Sequence, residues 1–284
     1  MDGLVAERVA AHFNVPFLLT IQANTATRII KTRRDLRDSY SRLWQDAAVV
    51  FPFAPNAQDA VAALLGARQG PVEILPCPTG ADTIIAPTPR APGAAPVILT
   101  AFHLAHYGNK NIKTLLQAVA LAAKTVPEIK LDVVGGGDAA AFLQVAQMAE
   151  EIAPGRVTLL GARPGSEMQG RMTRATAFAM PSHRESFGMV FSEALLAGTP
   201  CLHSSGRAID GLFPDGDITL GIDPSDAAAM AKALVTLCQE ETAFKARVGE
   251  AQSSGRLEIL RRDHIAATYL RVVGTIMGQT ANAA

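Results

Sequence analysis

From residue 97 onward, short apolar runs alternate with helical patterns, and this alternation constrains the fold more than any other feature of the chain. Residues 97–101, 129–134, 157–160, 175–180, 201–203 and 218–222 each read as a buried strand bounded by Gly, Pro or polar loops. Helical patterns fill the intervals at 111–124, up to 152, briefly after the loop at 161–166, at 187–197, and up to 237 behind an Asp223-Pro-Ser-Asp226 cap. Strands separated by helices run parallel, because only a crossover of a dozen or more residues can join them. The class is therefore α/β, with a Rossmann-like doubly wound parallel sheet. Such sheets bind ligands beyond the carboxyl ends of their strands, so the loops that follow strands are where chemistry belongs.

The most informative of those loops lies in residues 181–200, PSHRESFGMVFSEALLAGTP. Pro181 and Ser182 end a strand. Phe187 and Gly188 open a helical pattern with Met189, Val190, Ala194, Leu195 and Ala197 as apolar positions. Gly198 stands where a helix C′ glycine belongs, and Pro200 stops any continuation. Glu185 sits at the mouth of the helix. Glu193 lies eight residues on and shares a face with Met189. Free amides of Phe187, Gly188 and Met189 at the helix start favour an anion, most simply a phosphate, and a glycine lets it come close. The two carboxylates then accept hydrogen bonds from hydroxyls on either side. Hydroxyls, phosphate and more hydroxyls describe a nucleotide sugar. A plainer reading stays open on these residues alone: one Glu as a favourable helix-end charge, the other simply solvated.

This stretch resembles the signature of retaining glycosyltransferases of family 4 with the GT-B architecture. That signature is Glu, any residue, Phe-Gly, then a second Glu, and Glu185-Ser186-Phe187-Gly188 with Glu193 matches it. The resemblance implies that Glu185 contacts the donor sugar, that the amides of Phe187, Gly188 and Met189 meet sugar and phosphate, and that Glu193 holds ribose hydroxyls. Relatives clamp the donor diphosphate with an Arg and a Lys in the first βα loop of this domain. Lys110 matches the Lys and His103 stands in the Arg position, where an imidazole is a weaker diphosphate partner than a guanidinium. Gly135 and Gly137 resemble the strand-end Val-Gly-x-Gly beside the donor, a plain tight turn being the other reading. Arg163 falls in a loop resembling the one that frames the base, and His183 in a loop near the donor, as do Ser204 to Arg207. The implied donor is UDP- or GDP-linked, with no cofactor and no metal required. The acceptor is a glycan, lipid or small molecule.

The first 92 residues read as a partial second α/β domain: a helix at 3–12, a strand at 16–21, a helix at 29–46, a strand at 47–51, a helix at 56–65 with Asn56 as cap, and a strand at 72–75. They resemble the second half of the family's acceptor domain, with Thr20-Ile21-Gln22 in place of Thr-Ile-His and Pro78-Thr79-Gly80-Ala81-Asp82 in place of Pro-Asn-Gly-Val-Asp. Gln22 can donate a hydrogen bond but cannot carry a proton at neutral pH. The family's Gly-rich loop has no counterpart in this chain, so the domain is expected to be N-terminally short, with an open sheet edge that a second copy or a partner would cover. Pro76, Pro78, Pro87, Pro89, Pro92 and Pro96 mark an interdomain linker. Residues 93–256 form the nucleotide-sugar domain, and 257–284 a helix returning to the N-terminal part. The shortened domain, Gln22 and His103 together favour an alternative: a nucleotide-sugar-binding protein or subunit without turnover of its own.

Lys+Arg and Asp+Glu both number 26, which argues against a dedicated nucleic-acid binder. Arg28, Lys31, Arg33, Arg34, Arg37 and Arg42 cluster on one helical stretch. A solvated face diluted by Asp35, Asp38 and Asp46 is the preferred reading, and a peripheral contact with an anionic membrane the sharper one. Cys77, Cys201 and Cys238 have neither disulfide nor metal spacing, and no carboxylate joins His103, His106 and His183 at such spacing. No apolar run nears the roughly 20 residues of a membrane span, and the start does not read as a signal peptide. The expected location is cytoplasmic, at the inner membrane face if the basic stretch is used.

Overall fold

The computed structural model describes residues 2–283. The N-terminal half runs α1 (Asp2–Phe13), β1 (Leu18–Ile21), α2 (Ala23–Thr32), α3 (Arg37–Asp46), β2 (Val49–Pro52) and α4 (Pro55–Leu65). β1 and β2 pair in parallel from Leu18 opposite Val49 to Ile21 opposite Pro52. Ile21, Ile30, Tyr40, Leu43, Trp44, Val50 and Val61 form the core of this half. Three expectations are corrected by the structure. Asn56 does not cap α4: the cap position is Ala54, Pro55 opens the helix, and Asn56 Nδ2 donates to Ala208 O and Asp210 O instead. The long helix at 29–46 is two helices with a break at Arg33, whose backbone leaves helical geometry while its guanidinium bonds Asp35. The strand at 72–75 is reduced to a bridge between Val72 and Val50, although Val50, Glu73 and Leu75 still exchange backbone bonds with its surroundings. Pro71 and Pro76 flank it and withhold donors, which limits a regular ladder.

The C-terminal half runs β3 (Val97–Ala101), α5 (Ile112–Ala122), β4 (Lys130–Val134), α6 (Ala139–Ile152), β5 (Val157–Gly161), α7 (Gly165–Arg174), β6 (Ala177–Met180), α8 (Met189–Leu196), β7 (Cys201–Ser204), β8 (Thr219–Ile222), α9 (Ala227–Gln239), α10 (Glu241–Ser253) and α11 (Arg262–Ala283). Among the described residues six strands form one parallel sheet, in the order β5-β4-β3-β6-β7-β8. The order reverses between β3 and β6, so the loops leaving these two neighbours diverge and open a crevice. α10 is an addition to what the sequence suggested. It buries Phe244, Val248 and Ala251 on one face.

The proline-rich segment is not a free tether. Ile85 N–H donates to Leu196 O, and Pro87 packs so closely on Gly198 that a Cβ there would lie 2.6 Å from it. Gly198 has φ +83, as its place after α8 requires. Lys245, with no exposed surface, donates to the carbonyls of Thr88 (2.5 Å) and Thr173 (2.9 Å) and lies 3.7 Å from Glu241. Burial holds the Lys245 ammonium below its usual pKa, opposed by the Glu241 charge. Arg90 pairs with the other Glu241 oxygen. The segment is therefore a strap bonded to the C-terminal half. α11 returns to the N-terminal half as expected: Val272 packs with Val49 and Phe51, Tyr269 meets the Phe51 ring at 5.7 Å, and Arg271 pairs with Glu73 at 2.7 Å.

Candidate functional site

The loop after β3 carries Lys110, and the loop after β6 carries Glu185. Two asparagines fix one loop to the other. Asn109 Nδ2 donates to Arg184 O at 2.9 Å, while the His183 N–H donates to Asn109 O at 2.8 Å. Asn111, only 4% exposed, donates through Nδ2 to Pro181 O (3.1 Å) and Pro224 O (2.6 Å), and accepts from Thr114 Oγ1 at 2.7 Å. Its φ of 59° and ψ of 38° are a left-handed conformation that Asn tolerates better than most residues. Held between these contacts, Lys110 Nζ lies 2.5 Å from Glu185 Oε2, with both side chains about four-fifths buried.

Gly188 turns the chain from this loop into α8. Its φ is +76, and a Cβ on it would lie 2.7 Å from the Phe191 ring and 3.2 Å from Glu185. The helix starts at Met189, two residues after the sequence pattern suggested, and no side chain caps it. The Phe191 N–H donates to Gly188 O at 2.9 Å, and the amides of Met189 and Val190, which line the same cleft as Lys110, remain for an anion or solvent. Phe187 is buried and meets the Phe53 ring at 6.1 Å. One turn into α8, Glu193 accepts from the hydroxyl of Thr79.

These groups surround a cleft of about 480 Å³ lined by Gln22, His103, Lys110, Glu185, Phe187, Gly188, Met189 and Glu193, together with Phe53, Cys77, Ala101, Phe102, Met180, Ser186 and Val190. Burial pushes the Cys77 thiol up, so Cys77 serves as an apolar wall rather than a nucleophile. A larger groove of about 840 Å³ lies between α1 and α11, but its charged lining is the Glu73–Arg271 pair, already mutually satisfied. The convergence of cation, helix tip and two carboxylates marks the smaller cleft as the site.

Gly135, Gly137, Arg163 and His183, and the loop Ser204 to Arg207, all singled out by sequence, lie outside that lining. Gly135 and Gly137 are required by the packing of the protein itself: a Cβ on Gly135 would lie 1.7 Å from Phe102 O, and one on Gly137 2.9 Å from Leu104 Cβ. They let the loops after β3 and β4 run side by side, joined by Phe102 N–H to Val134 O and Leu104 N–H to Gly136 O. Arg163 is exposed and 3.8 Å from Glu167. The His183 side chain is exposed. Met189 lines the cleft but is 47% exposed, so it is a surface of the site rather than the core position its apolar character suggested. Conversely, sequence reading passed over Asn109, Asn111 and Thr79. The available signal was two asparagines flanking the one candidate phosphate lysine. Among the described residues no group of three or more His, Cys, Asp or Glu side chains is placed to hold a metal ion.

Comparison with known proteins adds three findings. The family model described as "Glycosyl transferases group 1" matches residues 84–253. Glycogen synthase of Mycobacterium tuberculosis is 25% identical over 260 residues, covering 88% of this chain and 62% of that protein. This chain thus spans under two thirds of that relative's length. Sucrose-phosphate synthase from Thermosynechococcus elongatus superposes with a TM-score of 0.72 at 22% identity, over 99% of this chain and 72% of that one. The Anabaena protein HepE in complex with UDP superposes with a TM-score of 0.75 at 15% identity, over 96% of this chain and 76% of that one.

Proposed function

The chain belongs to the glycosyl transferases group 1 family and has the GT-B fold, and from that premise we propose that it transfers a sugar from a UDP- or GDP-linked donor to an acceptor hydroxyl with retention of configuration. One observation carries this reading: Lys110, the uncapped start of α8, Glu185 and Glu193 all converge on one cleft at the reversal point of the sheet.

Each group has a distinct task. Lys110 and the first amides of α8 meet the charge that grows on the diphosphate as the glycosidic bond breaks. That stabilisation is built into the chain, and the reaction as proposed routes no step through a metal. Glu185 accepts hydrogen bonds from the donor sugar, and Glu193 from the ribose. The acceptor hydroxyl approaches from the face the diphosphate leaves, and a phosphate oxygen takes its proton. Within the chain Lys110 and Glu185 satisfy each other. Donor binding exchanges that contact for phosphate and sugar, so the pair keeps both side chains at hand without leaving a half-buried charge bare. Gln22, from the N-terminal half, and His103 both line the cleft, and in this reading Gln22 serves the acceptor and His103 the diphosphate.

These last two residues favour a second reading, binding without turnover, because relatives with this signature place a His and an Arg there. Incubation with labelled UDP- and GDP-sugars separates the two. Release or transfer of sugar by the wild type, lost in Glu185→Ala, supports transfer. Saturable binding with no release over hours supports the second reading, and no binding of either donor refutes both.

A further inference from the structure

Thr79 stands outside every site that the sequence suggested, yet its hydroxyl bonds Glu193 directly: Oγ1 donates to Glu193 Oε1. Thr79 is 2% exposed. The Ala81 N–H approaches the same Oγ1 at 3.4 Å, occupying it as an acceptor and leaving its single proton for the carboxylate. The turn that carries Thr79 is clasped beyond it. Asp82 accepts from the Arg262 backbone N–H at 3.2 Å and from its Nε and Nη2 at 3.1 Å each, at the first residue of α11. Thr79 therefore sits where the chain passes between its two halves, and it reaches the acid inside α8.

The geometry points to Thr79 as a positioning residue for ribose recognition, an inference that rests on Glu193 as the ribose acceptor. A carboxylate only accepts hydrogen bonds. With Oε1 held by Thr79, the Glu193 carboxylate is restrained, and its Oε2, which has no partner within the chain among the described residues, remains for a ligand of the cleft that Glu193 lines. One fixed acceptor selects a ligand that offers a hydroxyl at that point. Ribose offers both a 2′- and a 3′-hydroxyl and 2′-deoxyribose only the 3′-hydroxyl, so an acceptor fixed toward the 2′ position discriminates ribonucleotides from deoxyribonucleotides. A Glu193 freed from Thr79 still carries its charge but no longer holds one orientation, and the discrimination falls away.

The test measures binding of UDP, GDP and their 2′-deoxy counterparts by calorimetry to the wild type, Thr79→Val, Thr79→Ser and Glu193→Gln. The wild type is expected to bind the preferred ribonucleotide about tenfold more tightly than its deoxy form, the scale of one hydrogen bond to a charged group. Thr79→Val, similar in shape but without the hydroxyl, reduces that ratio to about twofold. Thr79→Ser restores it, and Glu193→Gln reduces it from the other side of the bond. If Thr79→Val does not fold, Thr79→Ala against Thr79→Ser makes the same comparison. A folded Thr79→Val that keeps the full ratio, or a Thr79→Ser that fails to restore it, overturns the inference while leaving the nucleotide-sugar reading intact. A wild type that binds neither nucleotide overturns that reading, and this inference with it.

Discussion

Replacing Asn111 by alanine removes the pin that joins the two loops of the site, and its cost follows from the contacts. Two buried carbonyls, Pro181 O and Pro224 O, lose their Nδ2 donor, and Thr114 loses its acceptor. An unpaired buried acceptor costs about 1–3 kcal/mol, so the two carbonyls account for about 2–6 kcal/mol if water does not reach them. Holding alanine in the left-handed conformation that Asn111 adopts adds about 1 kcal/mol. Partial relaxation brings the expected total to about 3 kcal/mol. Two companion variants separate these contributions. Asn111→Gly loses the hydrogen bonds but not the backbone compatibility, so it is expected to cost about 1 kcal/mol less than alanine. Asn111→Asp keeps the acceptor for Thr114 but turns an oxygen toward two carbonyl oxygens, and is expected to cost the most. Urea denaturation followed by circular dichroism gives the order: wild type, Gly, Ala, Asp. A loss under about 1 kcal/mol for Asn111→Ala, or a glycine variant less stable than the alanine one, would refute the reasoning from burial and backbone conformation.

Three further outcomes are expected. Gly188→Ala places a Cβ 2.7 Å from the Phe191 ring at φ +76, so it should lose about 1–2 kcal/mol of stability and weaken nucleotide binding together, measured by thermal melts and calorimetry. Lys245→Met leaves the Thr88 and Thr173 carbonyls unpaired and Glu241 with Arg90 as its remaining cation; a loss of about 3 kcal/mol is expected, with faster proteolysis within residues 85–96. His203 is buried in β7 beside Phe191, and burial lowers its pKa from an ordinary value near 6.5. The unfolded chain takes up that proton first as pH falls, so this group's contribution is present above about pH 6.5 and is lost as pH drops toward its lowered native value. His203→Gln should flatten the stability profile between about pH 7 and 5, and an unchanged slope would show that the acid loss comes from other groups.

The sheet and the heart of the site were legible because both are written in local signals. The apolar runs of the C-terminal half are strands whose central members, β6 and β7, are buried throughout, while the edge strand β5 is not, so their apolar character follows their place in the sheet. Glu185, Gly188 and Glu193 announce themselves through a strand, a glycine turn and a helix in one stretch. What escaped was set by partners distant in sequence. Thr79 and Glu193 are separated by 114 residues, and Asn111 and Pro224 by 113, and no local pattern encodes such pairs. Gly135 and Gly137 show the opposite case. Their spacing suggests a ligand, but the atoms that fill their space belong to Phe102 and Leu104. The proline-rich segment reads as an interdomain linker from composition, and its attachment through the fully buried Lys245 on α10 is a contact composition does not encode.

The cleft depends on the N-terminal half even though its charges come from the other. Phe53 supports Phe187, Asn56 Nδ2 donates to Ala208 O at 3.0 Å and Asp210 O at 2.8 Å, and Thr79 holds Glu193. Each contact lands on α8, on the turn entering it, or on the loop after β7. Ala208 has φ +57, a costly conformation for alanine, and its carbonyl is one of the two that Asn56 engages. A strained residue persists only where its surroundings over-determine it, and Ala208 is held both by the C-terminal core, with its N–H on Glu185 O, and by Asn56 from the N-terminal half. The strap already binds residues 85–90 to the C-terminal half. Movement between the halves must therefore be taken up on the N-terminal side of the strap and near Arg261, where the chain crosses back. Thr79 and the Asp82–Arg262 clasp lie at those two crossings, so the hydrogen bond to Glu193 is made at a junction between the halves.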